Sequence, residues 1–172
     1  MKILALSDSH GRIETAKAVL ERLAQQVDMV FHLGDHDEDA MALQRLFPKL
    51  PFHYVKGNND YGRETPSHKL VSARGKRFLL THGHKERVHY HLQTVAYWGE
   101  EQGVDGVVFG HTHVPLNDDS GRVFLFNPGS ITLPRDSFTP TFGILSIEHG
   151  RLEGSIMEYT EGGEIRRRNR QY

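Results

Sequence analysis

Lys2-Ile3-Leu4-Ala5-Leu6-Ser7-Asp8-Ser9-His10-Gly11 is an apolar run broken by a polar turn that closes on a glycine. A short apolar stretch bounded by turn residues reads as a buried strand. Ile13, Ala16, Val19, Leu20, Leu23 and Val27 then recur at helical spacing, with Arg12, Glu14, Lys17, Glu21 and Arg22 mainly on other faces. Met29 to Leu33 is a second strand, ending in Gly34-Asp35. A second helix spans Asp37 to Phe47 and is stopped by Pro48. Phe52 to Val55 is a third strand, ending in Lys56-Gly57-Asn58-Asn59-Asp60. Strand, helix, strand, helix, strand at this spacing predicts parallel pairing with right-handed crossovers. In such sheets ligands bind beyond the carboxyl ends of the strands, where each of these polar clusters falls.

The rhythm changes after residue 68. Lys69 to Ala73 and Arg77 to Thr81 predict a hairpin around Arg74-Gly75-Lys76, and its second strand delivers His82-Gly83-His84. Val88, Leu92, Val95 and Ala96 predict a helix reaching Gln102. Asp105 to His113 reads as a strand whose extended end would point His111 and His113 to one side. Asn117 to Gly121 has turn chemistry. Val123 to Phe126, Phe142 to Ile147 and Leu152 to Tyr159 are further strands, and their sequential hairpins suggest a second, largely antiparallel sheet. The predicted fold is α/β, two mixed β-sheets packed as a sandwich flanked by helices. One domain covers residues 1–160. Residues 161–172, with Arg166-Arg167-Arg168-Asn169-Arg170, read as a flexible, solvated basic tail in preference to a nucleic-acid arm.

Composition narrows the function. The chain has 172 residues, a formal charge of −1 and 25% charged residues, which gives no basic surface for nucleic acid. Cysteine is absent, so thiolate chemistry is excluded and a reducing cytoplasm fits. Met1 to Leu6 begins like a signal peptide, but Asp8 and His10 interrupt it, and no apolar run is long enough for a membrane span. Histidine is abundant, with 12 copies.

Gathering the predicted strand ends gives Asp8, His10, Asp35, Asn58, His82, His111 and His113. These seven oxygen and nitrogen donors are too many for one tetrahedral ion and suit two ions sharing a carboxylate. The mixture of carboxylate, amide and imidazole suits divalent Mn first, with Ni, Co, Zn or Fe as alternatives. His32 reads as a core residue. His36, His53, His68, His89, His91 and His149 read as surface or structural, Arg12 as a better phosphate contact than Arg135, and Asn127-Pro128-Gly129-Ser130 as a structural turn.

Asp8-Ser9-His10, Gly34-Asp35, Gly57-Asn58-Asn59-Asp60, His82 and Gly110-His111-Thr112-His113 together resemble the calcineurin-like metallophosphoesterase superfamily. With His82-Gly83-His84 and Asn127 to Ser130, they resemble its small bacterial and archaeal YfcE-type phosphodiesterase branch. The resemblance implies one metal on Asp8, His10, Asp35 and His113 and another on Asp35, Asn58, His82 and His111. It implies hydrolysis of a small-molecule phosphodiester by a metal-bridging hydroxide, because two divalent ions about 3.5–4 Å apart activate water and clamp an in-line displacement. A diester monoanion balances the charge left by two ions, two carboxylates and a hydroxide, whereas a monoester dianion overshoots it. Alternatives are a phosphomonoesterase acting on nucleotides or small metabolites, and a non-catalytic interaction scaffold of the same fold; a homo-oligomer is compatible with any of them. The chain departs from the larger family at Asn59, where a histidine is thought to protonate the leaving group. Asn supplies no proton at neutral pH, so Asn58 and His84 are the candidate catalytic residues, with His84 as the replacement acid.

Overall fold

The computed structural model describes residues 1–61 and 64–168. The N-terminal half follows the predicted alternation: β1 (Lys2–Leu6), α1 (Glu14–Leu23), β2 (Met29–His32), α2 (Asp37–Leu46) and β3 (Phe52–Tyr54). β1 pairs in parallel with β2, and β2 with β3. The hairpin is β4 (His68–Ala73) and β5 (Lys76–Thr81), with Ala73 opposite Lys76. Its loop is therefore the two residues Arg74 and Gly75, at φ 47° and 79°, the left-handed conformation that suits a tight hairpin.

Then come α3 (Gln93–Glu101), β6 (Gly106–Val108), β7 (Leu116–Asp118), β8 (Phe124–Asn127), β9 (Thr141–Glu148), β10 (Arg151–Tyr159) and β11 (Ile165–Arg167). One sheet runs β11-β10-β9-β1-β2-β3 and the other β4-β5-β6-β8-β7.

The two mixed sheets and flanking helices are as predicted, but the assignment of strands to sheets differs. β9 pairs with β1, so β9 and β10 extend the first sheet and do not build the second. The second sheet has a parallel centre, β5-β6-β8, with antiparallel pairs only at its edges. Hairpin patterns record local pairing and carry no information on which distant strand will receive it. Ile165–Arg167 pair with β10, so the sheet continues past residue 160. Asn169 and Arg170 of the basic run lie outside the described residues.

Strand alternation separates two cores in each sheet. Ile3 and Ala5 of β1, Phe31 of β2, Phe78 and Leu80 of β5, Val108 of β6 and Phe126 of β8 meet between the sheets. Leu4, Leu6 and Val30 point the other way, onto Ala16, Val19, Leu20 and Leu43 of the first two helices. Leu79, Val107 and Leu125 cover Val95 of α3 on the opposite outside face. The order is therefore helix, sheet, sheet, helix. Burying a Leu, Ile, Val or Phe side chain contributes about 1.5–3 kcal/mol, so the rigid part of the molecule is this doubly covered centre. The parallel strands β1, β2, β3, β5 and β6 all end at its rim.

Candidate metal centre

Five strand ends meet at that rim. β1 leads to Asp8 and His10, β2 to Asp35, β3 to Asn58, β5 to His82 and His84, and β6 to His111 and His113. The chain turns sharply at most of these positions. Asp8, His10, Asp35, His36, His111 and His113 have φ of 56°, 51°, 54°, 76°, 68° and 59°. Non-glycine residues adopt this left-handed conformation at a cost, and such residues gather at functional sites. The values also correct the expectation for the stretch after β6. His111 and His113 do not continue an extended strand; each is a left-handed turn residue, and the ladder stops at Val108.

Asp8, His10, Asp35 and His113 each offer a ligand atom within 4.8 Å of the others, a group that can hold a metal ion. His113 Nε2 is 3.2 Å from Asp8 Oδ1 and 3.1 Å from His10 Nε2. His10 Nε2 is 3.7 Å from Asp35 Oδ2. On the other side of Asp35, His82 Nε2 lies 3.4 Å from its Oδ1 and 3.2 Å from Asn58 Oδ1. The His111 ring is 5.0 Å from that of His82. All seven predicted donors are thus gathered around Asp8 and Asp35.

The donors fit a cation on three counts. Asp8 Oδ1 is buried without a hydrogen-bond partner, a costly state unless something positive meets it. His82 Nδ1 and His113 Nδ1 each lie 2.6 Å from a main-chain carbonyl, of Leu33 and Leu133. A carbonyl only accepts, so both Nδ1 atoms carry a proton, and in the neutral ring each Nε2 lone pair faces the cluster, the arrangement typical of ligating histidines. Burial also pushes the pKa of His10 down, and burial with the charges of His82 and His89 pushes that of His111 down to about 4, so both are neutral imidazoles near pH 7. Burial would raise the Asp8 carboxyl, but the close approach of His113 Nε2 and the charges of His82 and His113 hold it below the usual value.

Asn59 has a part of its own. Its backbone N–H donates to Asp35 Oδ1 at 3.1 Å and its side-chain amide to Oδ2 at 2.6 Å. It clamps the shared carboxylate, and each carboxylate oxygen keeps a second lone pair for a cation.

Other supports were not legible from sequence. Asp60 Oδ1 accepts the backbone N–H groups of His36 (2.8 Å) and Asp37 (2.9 Å), and Oδ2 accepts that of Gly57 (2.7 Å). This ties the N-terminus of α2 to the loop after β3. Buried His32, a core residue as expected, meets Ser9 Oγ at 3.0 Å, which ties the loops after β1 and β2. The Asn127-to-Ser130 turn is also a brace: Asn127 donates to the Gly110 carbonyl at 2.8 Å and Ser130 to the Asp8 carbonyl at 2.8 Å.

Two exposed side chains extend the cluster outward. His89 packs on His111 with ring centroids 4.5 Å apart, and Arg135 Nη1 reaches His89 Nε2 at 3.4 Å. Arg135 is the guanidinium that reaches a ring packed on the cluster; Arg12 is exposed.

A family model described as the calcineurin-like phosphoesterase superfamily domain matches residues 1–150. A Bacillus subtilis protein named "Probable metallophosphoesterase YsnB" is 35% identical over 150 residues, covering 87% of this chain and 86% of its own. The Escherichia coli K12 protein named "Phosphodiesterase YfcE" is 26% identical, covering 84% of this chain and 87% of its own. In fold, the chain is similar to Entamoeba histolytica Vps29 solved in complex with Zn²⁺, with a TM-score of 0.81 at 22% identity over 98% of this chain and 97% of that one.

Proposed function

Because the chain belongs to the calcineurin-like phosphoesterase superfamily, we propose that it is a dinuclear, metal-dependent phosphodiesterase. Asp8, His10, Asp35 and His113 would hold one divalent ion, and Asp35, Asn58, His82 and His111 the other. The observation that carries this reading is the buried, unpartnered Asp8 Oδ1, facing Nε2 atoms of His113, His10 and His82 at 3.2, 3.9 and 3.9 Å. Two ions held there would supply Lewis acidity, an activated water and a clamp for in-line displacement at phosphorus. Mn²⁺ suits the mixed oxygen and nitrogen donors best, with Ni, Co, Zn or Fe as alternatives.

The protein's own groups set the rest. Asn59 orients Asp35 and takes no part in proton transfer. Exposed Asn58 carries an amide that can contact a phosphoryl oxygen as well as a metal. His84 is the proposed donor to the leaving group: its ring lies 5.4 Å from that of His82 and 6.0 Å from that of His111. The substrate is a small phosphodiester, since a monoester dianion overcompensates the charge of this centre. With no cysteine to oxidise, we place the enzyme in the cytoplasm.

The test is hydrolysis of bis(4-nitrophenyl) phosphate and of 4-nitrophenyl phosphate by protein stripped of metal and reloaded with Mn²⁺. Turnover restored by metal, with the diester faster, is the expected result. Faster monoester turnover would replace the substrate class. No turnover with any of the five metals would favour the non-catalytic scaffold reading.

A further inference from the structure

Beside the cluster lies a groove of about 520 Å³, within the ~300–1,000 Å³ that ligand sites occupy. Its lining includes buried Val88 and Phe109, the apolar side chains of Leu116, Val114 and Pro115, and the rings of His89 and Tyr90. Arg135 lines its mouth.

The groove adjoins the proposed metal centre. His89 belongs to its wall and packs on His111. Thr112, between the two histidines after β6, also lines it, and the Arg135 backbone N–H donates to the His113 carbonyl at 3.2 Å. Val114, next to His113, is 40% exposed and Tyr90, next to His89, is 84% exposed, so apolar surface stands open to water beside the centre. A phosphorus atom at the centre would place one ester group over this lining and a charged phosphoryl oxygen towards the guanidinium of Arg135. Planar apolar groups gain from aromatic walls and from removal of apolar surface from water.

We infer that the groove bounded by His89, Tyr90, Val114, Leu116 and Arg135 binds the non-leaving ester group of the substrate and selects an aromatic, ring-sized group there. This rests on the phosphodiesterase reading and specifies the substrate class. A substrate with a small alkyl group leaves the lining wet and forgoes that binding energy.

The test compares two diesters with one leaving group, phenyl 4-nitrophenyl phosphate and methyl 4-nitrophenyl phosphate, under Mn²⁺. The expected kcat/KM ratio, each corrected for its uncatalysed rate, favours phenyl by at least about tenfold. Val114→Glu and Tyr90→Ala should each bring the ratio towards unity; both side chains are exposed enough to be replaced without cost to the core. A ratio near unity in the unsubstituted protein, or one unmoved by both substitutions, overturns the inference. If neither diester is hydrolysed, the phosphodiesterase reading fails, and the groove is judged by binding. Diphenyl phosphate should then shift the methyl resonances of Val114 and Leu116 but not those of Leu46, whereas no shift at Val114 and Leu116 overturns it.

Discussion

Nε2 of His113 and Oδ1 of Asp8 lie 3.2 Å apart at the bottom of the cluster, and this contact predicts how metal binding depends on pH. Burial alone would lower the His113 pKa, but the adjacent Asp8 carboxylate and the carbonyl of Leu133 raise it. A raised value means that His113 keeps its proton in the metal-free protein up to a higher pH than a free imidazole does. Ligation requires the neutral form, so the apparent affinity for Mn²⁺ should fall as pH drops through that value, with about one proton released per His113 ligated below it. His10 and His111, held neutral, add none near pH 7. Calorimetric titration in two buffers of different ionisation enthalpy measures the release. A release that stays constant from about pH 6 to about pH 9 would contradict the assignment.

Asp60 predicts a separate effect, because it touches none of the proposed ligand atoms. Asp60→Ala strips the acceptor from the N–H groups of His36, Asp37 and Gly57. Loss of a cap-like carboxylate costs about 1–2 kcal/mol, and loss of a support behind metal ligands costs about 10–100-fold in affinity. We therefore expect a modestly lower denaturation midpoint together with Mn²⁺ binding weakened by at least about tenfold. Unchanged metal affinity would show that the loops hold their places without the brace.

Asp60 also marks where sequence reasoning stops. Asp8, His10, Asp35 and His82 were legible because each follows an apolar strand, and periodicity identifies strands. Parallel pairing of β1, β2 and β3 then puts their ends on one rim without further information. Asp60, by contrast, acts on α2, far away in sequence, and no local pattern records that contact. The same holds for His89, which reaches His111 only once β6 and the loop before α3 have docked, and for Arg135, which reaches His89. Backbone handedness at a single histidine is equally silent, which is why His111 and His113 read as extended. The helix expected from Val88 begins only at Gln93, because Val88 serves the outer core from a turn and its apolar character mimics the start of the helical stripe.

Gly57 separates space from strain. A Cβ built there would stand 2.1 Å from Asp35 Oδ1 and 2.5 Å from the Asp35 backbone nitrogen. Its backbone is not left-handed, so alanine meets no conformational penalty of that kind. Gly57→Ala must push the shared carboxylate aside, and both ions depend on that carboxylate. Expected are loss of bound Mn²⁺, measured by elemental analysis, and at least about a 100-fold loss of diesterase rate, since displacements near 1 Å cost that much. Full occupancy and rate would mean that Asp35 is not the bridge.

His111→Ala tests the second ion. His111 is half-buried at the rim and contributes nothing to the three apolar clusters. The fold should survive, with an unchanged far-ultraviolet circular dichroism spectrum. Activity should drop by more than about 100-fold, since removing a ligand exceeds the usual cost of removing a supporting residue. Metal content should fall by about one equivalent, as expected for a dinuclear site. Retained activity with two ions bound would transfer the ligand role away from His111.

His84 is the remaining question, and its surroundings constrain the answer. Its Nδ1 is buried without a hydrogen-bond partner, and burial, followed by the charge of His82, lowers its pKa. The ring is thus mostly neutral near pH 7, and the donated proton comes from the minor imidazolium form, whose share grows as pH falls. The demand is greatest for poor leaving groups. A general acid contributes about 100-fold or more to such reactions and little where the leaving group departs as a stable anion. His84→Ala should therefore slow alkyl phosphodiesters by about 100-fold while slowing 4-nitrophenyl esters only slightly, steepening the dependence of rate on leaving-group pKa. An equal loss on both would reassign His84 to holding His82 and His111 in place, leaving departure without a protein proton donor at that position.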